Sequence, residues 1–191
     1  MQRHPQRHYS VDDYFAVEAH SPIKHEYYQG EIFAAGAASV AHNDITANVV
    51  ATLRLALRGT GFRAFGRDLR LVTPGGLYTY PDVMVVCGRV DLTLDRPDTV
   101  TNPVLLAEVL SEATRDYDRG EKFALYQAIP TLREYLLIEQ DRIGVEHFQR
   151  EEAEVWRSTA YNELGAVLPL ISVPAQLPLS EIYREVFSPV A

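Results

Sequence analysis

The chain has 191 residues, 47% hydrophobic and 23% charged, and its 18 Lys and Arg against 26 Asp and Glu give a formal net charge of −8. That length suits one domain with a substantial core, expected over residues 1–191, and the composition excludes a disordered or fibrous chain. No apolar run approaches the roughly 20 residues of a membrane span, and the acidic balance excludes a basic coat for non-specific nucleic-acid binding.

The one cysteine, Cys87, lies in an apolar run and reads as a core thiol in a reducing compartment. MQRHPQRHYS at the start lacks the apolar segment of a signal peptide, so a cytoplasmic location is expected. Ser10 ahead of Val11-Asp12-Asp13-Tyr14-Phe15 predicts an N-cap and a short helix, its two carboxylates placed where the helix dipole favours them. KHEYYQGEIFAAG predicts a hairpin turning at Gln29-Gly30.

Over residues 39–58, Val40, Ile45, Val49, Leu53 and Leu57 keep helical spacing up to Gly59, which predicts a long helix packed on a sheet. RAFGRDLRLVT and TYPDVMVVCG predict two strands separated by Pro74-Gly75-Gly76, and residues 88–103 a polar loop. VLLAEVLS, 104–111, reads as a central strand covered on both faces. TRDYDRGEKFALYQA then predicts one crossover helix stopped by Pro130, leading to the strand REYLLIEQ. The hairpin IGVEHFQR and EVWRSTAY and a last helix near 179–187 complete a mixed α/β pattern with a covered central sheet.

Two of these strands carry a carboxylate that apolar strands do not need. Asp82 and Glu108 each interrupt an apolar run, and a lone buried carboxylate costs several kcal/mol unless paired or bound to a cation. On adjacent strands the two would meet, and paired hard oxygens are what Mg²⁺ selects. The alternative is that each acid sits solvated or capped at a strand end. Lys122, on the helix after the second strand, would face the same place and counter charge on a phosphate, or simply pair with Asp118 four residues earlier.

Tyr80-Pro81-Asp82-Val83, Ala107-Glu108-Val109-Leu110-Ser111, Thr114, Asp118-Arg119, Lys122, Tyr126 and Glu134-Tyr135 together resemble the Uma2 family, also called DUF820, of the PD-(D/E)XK restriction-endonuclease-like superfamily. Glu26-Tyr27 with Gly30-Glu31 resembles its N-terminal hairpin, and Ser39 with His42 the start of its long helix; the resemblance covers about residues 10–185. It implies a restriction-endonuclease-like α/β fold, a mixed β-sheet core flanked by helices, with a centre using Mg²⁺ or Mn²⁺.

Carried over, the resemblance makes Asp82, Glu108 and the Val109 carbonyl the metal ligands, Lys122 the catalytic lysine and Glu31 an added hairpin acid. His42 would be a rim residue contacting substrate or accepting a proton, with Asp118 and Tyr126 orienting Lys122 from one turn away on either side. The chain departs from the superfamily's name at Leu110, where a lysine is expected two residues after Glu108. Since that position shares Glu108's face of the strand, the lysine's part passes to Lys122 on the helix.

The resulting reading is a metal-dependent endonuclease that hydrolyses DNA phosphodiester bonds. Arg63, Arg67, Arg70, Arg115 and Arg119 are candidates for a local basic rim that offsets the acidic net charge. The competing reading is a catalytically inactive nuclease-fold module acting in nucleic-acid binding or protein assembly; a third is a hydrolase of small phosphate esters. A homodimer would follow the superfamily's habit, with Trp156, Tyr161 and VLPLISVPAQLPL as interface candidates against ordinary core packing.

Overall fold

The computed structural model describes residues 8–34, 36, 38–94, 96–152 and 155–187. Residues 35 and 154, at the ends of two predicted strands, and most of the stretch read for a signal peptide lie outside them. Helix α1 (Val11–His20) starts at Ser10, whose side chain accepts from the Asp13 N–H while the Asp13 carboxylate accepts from Ser10 in return, a capping box that satisfies free donors of the first turn. Strands β1 (His25–Tyr28) and β2 (Glu31–Ala34) form the predicted hairpin. Gln29 and Gly30 both have positive φ, 48° and 86°, as a two-residue hairpin turn requires.

Helix α2 (Val40–Ala56) buries Ile45, Val49 and Leu53 completely, each burial stabilising by about 1.5–3 kcal/mol. Val40, counted in the apolar stripe, instead points to solvent at 79% exposure, because it is the first helical residue and precedes the buried face. The next two predicted strands are each broken in two: β3 (Phe62–Gly66) and β4 (Arg70–Val72), then β5 (Tyr78–Thr79) and β6 (Val83–Cys87). Each break lets the chain leave one sheet for another. The predicted polar loop contains the short strands β7 (Leu92–Thr93) and β8 (Arg96–Val100). Pro97 is tolerated there because the register shifts beside it and no strand pairing falls on it.

Strand β9 (Pro103–Leu110) is central as expected, antiparallel to β6 and parallel to β10 (Glu134–Glu139). The crossover is two helices, α3 (Arg115–Arg119) and α4 (Glu121–Gln127), because Gly120 leaves helical geometry at φ −106°, ψ −98°. Strands β11 (Val145–Arg150) and β12 (Trp156–Tyr161) form the expected hairpin, followed by β13 (Val167–Pro169), β14 (Gln176–Pro178) and α5 (Leu179–Ile182). That last helix stops well short of 187, and Glu185 takes a positive φ of 65°.

Two six-stranded sheets result, ordered β2-β1-β5-β4-β8-β7 and β12-β11-β10-β9-β6-β3, with β13-β14 apart. The second is covered on both faces, and period-two alternation divides its side chains. Val83, Val85, Leu105, Ala107 and Leu136 pack under α2 and the C-terminal segment; Met84, Leu106, Leu110, Tyr135 and Leu137 pack with Phe123 and Tyr126 of α4. Leu168, Leu170, Leu177 and Leu179 join the first cluster, so this C-terminal stretch is core. Cys87, expected inside, is exposed: it ends β6 just before Gly88 turns the chain, beyond the pairing with β9. Among the described residues no helix is long and apolar enough to cross a membrane.

Buried Glu134 fastens this C-terminal segment to the sheet. It accepts from His147 Nε2 at 2.8 Å, the Ile171 N–H at 3.0 Å, the Ser172 N–H at 2.8 Å and the Ser172 hydroxyl. Burial pushes its pKa up, but these donors together overcome it and hold the carboxyl below the ordinary glutamate value. Its contribution is therefore complete above about pH 4.3 and disappears as pH falls through the lowered folded-state value. Glu134→Gln turns an acceptor into a donor facing Ser172 or His147 and should cost about 1–3 kcal/mol at pH 7. Urea titrations should show the gap between variant and wild type closing as pH falls below about 4; a gap independent of pH would disprove the charged role.

Candidate active site

The chain crosses between the two large sheets at 67–69 and again at 80–82, and the cleft opens at these crossings. Asp82 comes directly before β6, whose Val83 pairs with Ala107 of β9. By strand parity Asp82 and Glu108 therefore lie on the face occupied by Met84, Leu106 and α4, where Lys122 projects. The cleft has a volume of about 490 Å³, and Asp82, Glu108 and Lys122 all line it at 5%, 4% and 5% exposure.

Lys122 Nζ lies 3.1 Å from Glu108 Oε1, 3.2 Å from Glu26 Oε1 and 3.5 Å from Asp118 Oδ1. Tyr126, one turn further along α4, donates its hydroxyl to Glu108 Oε1 at 2.7 Å. Asp82 is held separately: His42 Nε2 meets its Oδ1 at 2.9 Å, the Val109 N–H donates to Oδ2 at 2.9 Å, and Arg67 Nε stands 3.8 Å from Oδ1. His42 is fixed by the start of α2, where the Ser39 hydroxyl accepts from the His42 N–H at 3.0 Å and donates to Gln140 at 2.6 Å.

The two central carboxylates are pushed apart electrically. Burial works against charge on Asp82, but hydrogen bonding and charge from His42, the Val109 N–H and Lys122 hold it below the ordinary carboxylate range. Burial pushes Glu108 up to about 8, with Asp82 and Asp118 adding to the effect and Lys122 and Tyr126 opposing it. Burial would strip the proton from Lys122, yet Glu108 and Glu26 outweigh it and keep the ammonium charged. One buried cation thus serves Glu26, Glu108 and Asp118 directly, with Asp82 alongside.

Among the described residues, no three His, Cys, Asp or Glu groups converge into a ready-made metal cage. What Asp82 and Glu108 offer is a pair of buried hard oxygen donors open to a cleft that admits water, with Glu108 the one short of positive charge. That donor chemistry fits Mg²⁺ or Mn²⁺, which are held by one or two carboxylates with water and substrate phosphate completing the shell.

The structure brings Asp82, Glu108, Val109, Lys122, His42, Asp118 and Tyr126 together, and it presents Val109 through its N–H. It does not bring in Glu31. Glu26, Tyr28, Glu31 and Phe33 share one hairpin face, with Glu26 opposite Phe33 and Glu31 opposite Tyr28 beside the turn. Glu31 is thereby displaced by two strand positions, about 7 Å, and Glu26 is the hairpin acid that lines the cleft. The alternating pattern could have put both acids on one face, but not shown which end of the hairpin meets the helix.

Of the five candidate rim arginines only Arg67 lines the cleft. Arg70 is buried against Glu18, Asp98 and Tyr80, Arg115 and Arg119 pair with Glu139, and Arg63 lies over the Phe65 ring.

A family model described as "Putative restriction endonuclease", Uma2, matches residues 11–180. The chain belongs to the Uma2 family. Two relatives in Synechocystis sp. (strain ATCC 27184 / PCC 6803 / Kazusa) bear the name "Uncharacterized protein". The one designated sll1609 is 38% identical over 148 residues, covering 77% of this chain and 84% of its own; slr1290 is 32% identical over 178 residues, covering 92% and 91%. The Uma2 chain also shares its fold with the "putative nuclease belonging to DUF820" from Anabaena variabilis ATCC 29413, at a TM-score of 0.71 and 17% identity over 87% of this chain and 93% of that one.

In this Uma2 site the raised Glu108 pKa makes ionisation costly to the fold. The penalty is absent below about pH 4.3, grows as the unfolded glutamate ionises, and is complete above about 8. With metal chelated, Glu108→Gln should raise the thermal unfolding midpoint more at pH 8.5 than at pH 5, whereas Lys122→Met should lower it at both. Equal shifts for Glu108→Gln at the two pH values would contradict this electrostatic arrangement.

Proposed function

We propose that this cleft hydrolyses DNA phosphodiester bonds with a divalent cation held by Asp82 and Glu108. The observation that carries the reading is the charge shortfall: buried carboxylates converge on one ammonium at the bottom of an open cleft. Such a site gains from a further cation and from nothing apolar. Bound there, Mg²⁺ or Mn²⁺ would acidify a water and neutralise phosphate charge.

The chain's own residues supply the rest. His42 and the Val109 N–H fix the Asp82 carboxylate in one orientation, and the Tyr126 hydroxyl does the same for Glu108. Lys122 keeps its proton at working pH and so acts as a fixed positive charge toward an oxygen gaining negative charge during P–O cleavage. Glu26 and Asp118 hold that ammonium from two sides, so its position precedes substrate arrival. The family description and the strand parity of Asp82 and Glu108 support this reading together.

One observation favours the inactive-module alternative. Lys122 is already engaged by three carboxylates, as a purely structural lysine would be. Calorimetry with Mg²⁺ or Mn²⁺ beside cleavage assays on single- and double-stranded DNA separates the two. Wild type should bind metal and cut DNA, and Asp82→Asn and Glu108→Gln should lose both. Lys122→Ala should still bind metal while cutting about 10²–10³-fold more slowly. Folded wild-type protein that neither binds metal nor cuts would establish the module reading.

A further inference from the structure

The ionic floor of the cleft accounts for a phosphate, but not for the wall beside it. Phe33 lies on β2, an edge strand with a neighbour on one side only. Phe33 is 47% exposed, lines the cleft, and stands directly opposite Glu26 on the same hairpin face. Tyr28, on that face too, lines the cleft next to it. Ala34, Gly36, Ala38 and Ser39 continue the wall with small side chains, and the position a Cβ would take on Gly36 is open space. A half-exposed aromatic residue beside open space at Gly36 leaves room for a flat partner.

We propose that the cleft selects an unpaired nucleotide, with Phe33 stacking on its base and Arg67 meeting its phosphate. This rests on the nuclease reading above and names the substrate class. Three observations favour it. First, Asp82, Glu108 and Lys122 are at most 5% exposed, so a phosphodiester has to descend into the cleft to reach them. A flexible single strand can do so while turning a base toward the wall, whereas a stacked duplex keeps its base faces covered.

Second, Arg67 is a partly exposed cation of the cleft: its side chain is 32% accessible and its Nε stands 3.8 Å from Asp82, beyond hydrogen-bond reach. The turn that carries it is pinned by Lys24, which donates to the Arg67 carbonyl at 3.0 Å. Third, a chain of net charge −8 gains little from long-range attraction to phosphate. Base stacking supplies affinity that does not depend on charge and accepts any base.

The test is fluorescence anisotropy on the full chain with Ca²⁺ replacing Mg²⁺, using a fluorescein-labelled thymidine oligonucleotide alone and annealed to its complement. Wild type should bind the single strand more tightly than the duplex. Phe33→Ala, which removes an exposed ring and opens no buried cavity, should weaken single-strand binding about 5- to 100-fold while duplex binding stays the same; Phe33→Trp should restore it. Duplex binding as tight as single-strand binding, or equal affinities for Phe33→Ala and wild type, would overturn the inference. If Asp82-dependent cleavage persists in that case, the nuclease reading survives it. If neither form is bound nor cut, both fail together.

Discussion

Lys122 has to remain charged where almost no water reaches it, and the arrangement of the cleft follows from that demand. Its ammonium ties three elements of the chain together: Glu26 from the hairpin, Glu108 from the central strand and Asp118 from the first crossover helix. Removing the lysine from such a buried set leaves its carboxylates uncompensated, typically at a cost of about 3–5 kcal/mol. The set is also unbalanced, since one cation cannot neutralise the carboxylates around it. A fold selected for stability alone would resolve this with apolar residues of similar volume. Retaining the imbalance makes sense where a positive charge from solution completes the site.

The backbone makes this arrangement possible through two simple regularities. Strand alternation puts Asp82 and Glu108 on the face toward α4 while their neighbours Val83, Ala107 and Val109 fill the other core. Crossing between sheets then creates an opening at the level of those carboxylates, because β3 and β6 belong to one sheet and β4 and β5 to the other. Pro81 helps at the second crossing, since it carries no N–H that a continued ladder would need. The crossings at 67–69 and 80–82 each deliver a cleft residue, Arg67 and Asp82.

Much of this is legible in the sequence, for physical reasons. An acid within an apolar strand is conspicuous, so Asp82 and Glu108 announced themselves, and the run from Glu108 to Tyr126 carried the family resemblance. The i,i+4 spacing of Asp118 and Lys122 predicted a pair that the structure contains at 3.5 Å. What stayed hidden depended on how elements meet. Glu31 and Glu26 differ only in distance from the turn, which decides which of them reaches α4. The run TRDYDRGEKFALYQA reads straight through Gly120 as one helix, though Gly120 divides α3 from α4. The breaks in the two predicted strands followed from there being two sheets, a fact about tertiary pairing that hydrophobic runs do not encode. Cys87 was misplaced for a similar reason: an apolar run does not mark where its strand passes beyond its partner.

The arginines bear most directly on how the two functional readings differ. A local basic rim was the feature expected to offset a net charge of −8, and the structure uses four of its five members elsewhere, three in buried or semi-buried ion pairs and Arg63 over a phenyl ring. A module that binds nucleic acid by charge alone needs those guanidinium groups at its surface, because phosphate neutralisation supplies most of such affinity. Here they stabilise the frame around the cleft, notably through Glu139, which receives Arg115, Arg119 and Arg142. An acidic protein with its arginines so committed would approach a phosphodiester most readily at a place where its own negative charge could recruit a cation. On the proposed reading that place is the Asp82–Glu108 cleft, and the chemistry that would permit binding there is the same chemistry that hydrolysis would require.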